Sequence, residues 1–141
     1  MPSVRPASPD DAPAVASLLG ELGYPSNAAQ VRARMAGVLR DDRVFVAVDE
    51  RAGDVLGMLS VHQFHGLHDN APVALITALV VADRARGLGA GKSLVDRAAE
   101  TAREWGCTRL MVTTHVRREA AHAFYEHIGF ELTGRRYVKT L

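Results

Sequence analysis

The sequence predicts a mixed α/β fold: a central, mostly antiparallel sheet with helices on both faces, in the order β-α-α-β-β-β-α-β-α-β(-β). Three observations lead there. The N-terminal part carries two stretches of helical periodicity. Residues 43–81 then read as three consecutive strands with turn signals between them, and from residue 91 onward helical and strand patterns alternate. An early meander gives antiparallel pairs, whereas strands separated by helices cross over the sheet and cover its faces.

Taken in order, Val4–Ala7 reads as a short edge strand, where Pro6 is tolerated. Ser8-Pro9-Asp10-Asp11 opens a helix, with a cap and acids in the first turn. Its apolar Val15, Leu18, Leu19 and Leu22 recur at helical spacing until Gly23 and Pro25. A second helix follows Ser26-Asn27, with Val31, Met35, Val38 and Leu39 on one side and Arg32, Arg34 and Arg40 on the other. Arg43–Val48 is a half-alternating strand, Gly53-Asp54 marks a hairpin into Val55–Phe64, and Gly66–Asn70 makes the next turn. Val73–Val81 is an apolar run expected to be buried on both faces. Gly91–Trp105 is an amphipathic helix with Leu94, Val95, Ala98 and Ala102 on its apolar face and Gly106 just past its end. Arg109–Thr114 reads as a strand, Arg118–Ile128 as a helix ended by Gly129, and Phe130 onward as one or two closing strands.

With 141 residues, 48% hydrophobic and 23% charged, the chain is expected to form one domain over residues 1–141. Cys107 stands alone, so no intramolecular disulfide and no cysteine cluster can form, which suits a reducing compartment. The start, MPSVRPASPDD, has no apolar stretch of a secretory signal, and the longest apolar run, Ala71–Ala82, is too short to span a bilayer. The expectation is a cytoplasmic protein with no membrane partner. The net charge is +1, with seven acids and five bases in residues 1–50 and nine acids and twelve bases after them. That near-neutral balance disfavours a nucleic-acid binder built on Arg84, Arg86, Arg117, Arg118, Arg135 and Arg136.

The chemistry concentrates between Leu79 and Lys92, where a buried strand runs into the turn Arg86-Gly87-Leu88-Gly89-Ala90-Gly91 and then into a helix. Glycines bend the backbone tightly and expose its N–H groups, and a helix start adds partial positive charge. The two together suit an anion, phosphate above all. A Walker A loop fails because Arg86 stands where its first glycine is required, and the dinucleotide pattern fails because Lys92 stands in place of its third. The pattern Arg/Gln-x-x-Gly-x-Gly/Ala fits through Arg86, Gly89 and Gly91. Taken without further context, these glycines are also compatible with a plain tight connection.

With this turn the chain resembles the GCN5-related N-acetyltransferase (GNAT) superfamily, which binds acetyl-coenzyme A (acetyl-CoA). A second segment, Ala121-His122-Ala123-Phe124-Tyr125 followed by Gly129-Phe130, is similar to the superfamily's A-x-x-F-Y-x-x-x-G-F helix and strand. The element order is similar too, over essentially the whole chain. The resemblance implies an enzyme that transfers acetyl from acetyl-CoA to the primary amine of a small molecule or peptide by direct attack, with no metal. It implies that Arg86, Gly87, Leu88, Gly89, Ala90, Gly91 and Lys92 cradle the coenzyme A pyrophosphate. Main-chain groups of Leu79, Val80 and Val81 pair with the pantetheine arm, the Leu79 amide polarises the acetyl carbonyl, and Phe124 packs near the arm. Tyr125 is the general acid toward the departing thiolate: a phenol of pKa about 10 keeps its proton at neutral pH.

Two positions depart from the pattern. Arg118 stands where many relatives have Asn, and the strand Val73–Val81 lacks the glutamate that some relatives use as general base. A water chain or a histidine from His62, His65 and His68 is left, with His65 the choice. An imidazole of pKa about 6.5 accepts a proton at neutral pH. These histidines with Asp69 have a spacing that invites a metal, but positions three apart on a strand face opposite ways, so no metal is expected. Glu21, Tyr24 and Asp69 are the substrate-side candidates, and the acids with His65 would suit a cationic amine. The rival reading is a non-catalytic acyl-CoA-binding sensor or interaction module on the same fold. Nothing in the sequence fixes the oligomeric state, for which a homodimer is the commonest choice.

Overall fold

The computed structural model describes residues 2–38, 40–114 and 117–141. Two compact units, Met1–Met111 and Val112–Leu141, are treated in turn.

The first unit holds β1 (Ser3–Pro6), a single 3-10 turn at Pro9–Asp11, α1 (Ala12–Leu22) and α2 (Ala28–Ala36), followed by β2 (Asp42–Val48), β3 (Val55–Phe64) and β4 (Val73–Val81). A second 3-10 turn at Asp83–Ala85 leads into α3 (Ala90–Glu104), and β5 (Leu110–Val112) begins at the unit's end. The strands lie in the order β1-β2-β3-β4-β5, and the first three pairs are antiparallel.

Local chemistry sets the element ends. Asp11 closes the corner between β1 and α1: its carboxylate accepts from the Ser8 amide at 2.7 Å and from both arms of the Arg5 guanidinium at 2.8 and 2.9 Å. Gly23, at φ 103°, ends α1, and the Tyr24 amide then reaches back to the Leu19 carbonyl at 2.8 Å. Asn27 and Gln30 cap α2 reciprocally, each side chain accepting from the other's amide at 2.8 and 3.0 Å. α2 stops at Ala36, so Val38 lies beyond the helix and is exposed, and Leu39 falls outside the described residues.

Both faces of the sheet are covered. Adjacent strand residues point to opposite faces, yet Met58 and Leu59 are both buried, and both α1 and α3 pack on β3. Gly57 admits α3: a Cβ there would stand 2.9 Å from the Val80 carbonyl oxygen and 3.2 Å from Leu94. Val46, Leu59, Val61, Val73, Ile76 and Leu94 form the most deeply buried centre. At its margin Arg97 lies 4.9 Å from the Phe45 ring centre and Arg43 5.4 Å from that of Trp105.

β4 differs from expectation. Val73, Ala74, Ile76 and Val80 are buried, but Thr77 is exposed and Ala78 and Leu79 are half-buried. The register explains it: Ser60 pairs with Ala78 and Val61 with Ile76, leaving Thr77 unpaired in a bulge.

The second unit contains α4 (Glu119–His127), ended by Gly129 at φ 101°. The closing strands expected after Phe130 are not formed: residues 130–141 carry no strand, and Leu132, Tyr137 and Val138 are exposed. Strand-favouring residues make a strand only when a ladder pairs them, and Gly134-Arg135-Arg136 breaks the alternation that would give this segment one apolar face. Among the described residues, no helix is long and apolar enough to cross a membrane.

Candidate active site

The end of β4 is the centre of the site. Bulges re-aim side chains and interrupt ladders, and at this one the Thr77 hydroxyl meets the Ser60 hydroxyl at 2.6 Å. β5 is only three residues long against nine in β4, and it sits at the strand's beginning, where the Ala74 amide donates to the Arg109 carbonyl at 3.1 Å. A strand so short cannot accompany β4 to Leu79, Val80 and Val81.

Beyond β4 the backbone turns through Asp83–Ala85 to Gly87 and Gly89, at φ 82° and 84°. Residues with a Cβ rarely adopt that conformation. A Cβ built at either glycine meets nothing within 4 Å, so the turn has an open face. No side chain caps α3, and the first helical bond in its opening turn runs from the Ser93 amide to the Gly89 carbonyl at 3.0 Å. The amides of Ala90, Gly91 and Lys92 precede that ladder and point out of the helix start, where the macrodipole is positive. An open glycine turn with uncapped amides fits a pyrophosphate. Glu21 pins this turn to the end of α1, its carboxylate accepting from the Asp83 amide at 3.0 Å.

The two cations beside the turn are held in exposed ion pairs, Arg86 with Asp83 at 3.0 Å and Lys92 with Asp96 at 2.8 Å. Such pairs contribute about 0–1 kcal/mol, little enough to be exchanged for a phosphate. Exposed Leu88 sits between the glycines.

Alongside the bulge lies a cleft of about 670 Å³ between the α1–α2 connection and β4, with Leu19, Tyr24, Ser26, Arg34, Thr77 and Ala78 among its walls. Tyr24, a sequence candidate, lines it; Glu21 and Asp69 do not. Asp69 instead binds Arg109 at 3.0 Å and stands 3.5 Å from the His68 imidazole. The exposed His65 has its Nε2 3.1 Å from the Asp69 carbonyl oxygen. A carbonyl only accepts, so Nε2 donates this bond. His62 is 2.9 Å from Asp42. Among the described residues, no three His, Cys, Asp or Glu side chains group as metal ligands would. Sequence reasoning places Arg34 only on the polar side of α2; its position in the cleft follows from the bend at Gly23–Asn27, which no local pattern foretells.

In the second unit, Tyr125 is buried on α4, its ring edge-on to Phe124 at 5.4 Å and to Phe130 at 5.6 Å. Burial pushes its phenol above the ordinary value of 10.0, offset in part by the Arg118 cation. The hydroxyl is therefore a proton carrier at any neutral pH. Burial raises the Cys107 thiol above its ordinary value as well, which leaves less of it as the reactive thiolate.

Comparison with known proteins bears on this arrangement. Residues 14–130 match the model of the acetyltransferase (GNAT) family. The chain is 34% identical over 144 residues to a Salmonella typhimurium protein named aminoalkylphosphonate N-acetyltransferase, covering 98% of this chain and 90% of that one. It superposes on a crystal structure described as a transcriptional regulator from Bacillus halodurans, with TM-score 0.87, 27% identity and full coverage of both chains. A Trypanosoma brucei acetyltransferase gives TM-score 0.83 at 25% identity, again with full coverage of both. The chain belongs to the acetyltransferase (GNAT) family, and it is an N-acetyltransferase.

Proposed function

We propose that residues 1–141 form one N-acetyltransferase domain that takes acetyl from acetyl-CoA and gives it to the primary amine of a small molecule. The observation that carries this reading is the sequence of a bulged strand, an open glycine turn and an uncapped helix start within fifteen residues, Thr77 to Gly91. The family match, which runs over residues 14–130, supports treating the chain as one such domain. The Salmonella relative's name gives that protein a small amine as acceptor, in keeping with the cleft beside Thr77.

Acetyl-CoA supplies the activated acetyl group. In this reading the amides from Arg86 to Lys92 hold its pyrophosphate, and the edge of Leu79, Val80 and Val81 pairs with the pantetheine arm. The Leu79 amide polarises the carbonyl, and Phe124 packs beside the arm. Tyr125 donates its proton to the thiolate, and positioning with carbonyl polarisation lowers most of the barrier. β4 carries no acid, so in this reading the amine's proton goes to a water chain or to His65. In this reading the transfer runs without a metal.

Gly89→Glu tests the donor site. A Cβ at Gly89 meets nothing within 4 Å, so its cost to the fold is mainly backbone strain, about 1–2 kcal/mol; Gly89→Ala carries the same strain without the charge. Calorimetry should show coenzyme A bound at least tenfold more weakly by Gly89→Glu than by Gly89→Ala. Equal affinities in the two folded variants would remove the pyrophosphate from this turn.

A further inference from the structure

The cleft beside the bulge has an unusual charge for a site that receives amines. Among the described residues that line it, Arg34 alone is charged and none is acidic. Arg34 Nη1 donates to the Ser26 hydroxyl at 2.9 Å, and that hydroxyl donates in turn to the Tyr24 carbonyl at 3.2 Å. The guanidinium is thereby oriented by a neutral partner, and only one of its five N–H donors is used in that bond. No carboxylate among the described residues forms an ion pair with it, whereas Arg5, Arg86 and Arg109 each have one. A purely cationic acceptor such as a polyamine would meet repulsion in this cleft. An acceptor with an oxyanion would meet a planar fork of donors suited to two-pronged binding.

We propose that Arg34 receives an anionic group, carboxylate or phosphonate, on the acceptor, so that the substrates are small amines carrying an oxyanion. The proposal rests on reading the cleft as the acceptor site. A cleft of about 670 Å³ is of small-molecule size. The anion at Arg34 leaves the amine end free to approach Thr77 and Ala78, which also line the cleft. The Ser26 and Thr77 hydroxyls and the exposed Tyr24 ring supply the remaining polar and flat surface.

The test uses the whole chain, wild type and the variants Arg34→Gln and Arg34→Lys, with three probes: 2-aminoethylphosphonate, β-alanine and the neutral ethanolamine. Calorimetry in the presence of coenzyme A reads binding, and acetyl-CoA-dependent thiol release reads turnover. The wild type should prefer at least one anionic probe to ethanolamine, and the ratio between the two anionic probes tells phosphonate from carboxylate. Arg34→Gln should weaken the preferred probe roughly tenfold to hundredfold in Kd and KM, the loss of a charged hydrogen-bonded contact. Arg34→Lys should recover part of that loss. KM for acetyl-CoA and the unfolding midpoint should not move, because Arg34 is exposed and remote from the glycine turn in sequence. Equal use of ethanolamine and the anionic amines, or an Arg34→Gln variant that matches the wild type with them, would overturn the proposal alone. Arg34-dependent binding of an anionic probe without thiol release from any amine would uphold the anion site and overturn the acetyl-transfer reading instead.

Discussion

At Tyr125 two environmental effects oppose each other. Burial among Phe124 and Phe130 disfavours the phenolate, the Arg118 cation favours it, and burial is the larger. The group therefore keeps its proton throughout the neutral range, which the proposed donation to a thiolate requires. Tyr125→Phe keeps the ring and its packing and removes only the proton. Steady-state kinetics should show kcat lower by about a hundredfold, with KM for acetyl-CoA little changed. An unchanged kcat with a raised KM would make Tyr125 a wall of the site. The sign of the shift also sets the pH range: since the folded pKa is raised, the acid is fully present below pH 10 and is lost only as pH rises through the raised value.

Among the elements, the corner between β1 and α1 depends on one carboxylate. The Arg5 guanidinium, the Ser8 amide and the Ser8 hydroxyl hold Asp11 below its ordinary value of 3.8, against the opposing effect of burial. The corner's stabilisation is therefore present above that ordinary value and is lost as pH falls through the lowered one. Asp11→Asn should cost about 2 kcal/mol at neutral pH, at the modest end for a buried charge because Arg5 is half-exposed. Urea melts at pH 7 and pH 3 check this: the gap between wild type and variant should narrow at the lower pH. An equal gap at both would show that the charge is immaterial. The same scale shows what the sequence makes legible. Val55–Phe64 and Val73–Val81 read to the residue, because strand-forming runs are bounded by turn residues on each side. The bulge at Thr77 does not, because a one-residue slip depends on what β3 presents opposite and leaves no mark in β4 itself. The missing strands after Phe130 teach the same lesson, since pairing is a property of two segments and propensity of one.

In the molecule as a whole, the candidate residues divide in the same way. The turn at Gly87 and Gly89 is legible in sequence because it answers a local demand, a backbone at positive φ beside an uncapped helix start, and Tyr125 stands in a motif on one helix. The cleft proposed for the acceptor is legible only at Tyr24, since Arg34 and Thr77 join it only when α1, α2 and β4 are in place. The acids expected there, Glu21 and Asp69, are engaged with the Asp83 amide and with Arg109. The family model and the Salmonella relative are both those of acetyltransferases. The most direct test of acetyl transfer follows free thiol and N-acetylated product together, with acetyl-CoA and a panel of small primary amines. Thiol and acetylated amine should appear in equal amounts, both abolished without the amine. Coenzyme A binding with no thiol released from any amine would contradict the account.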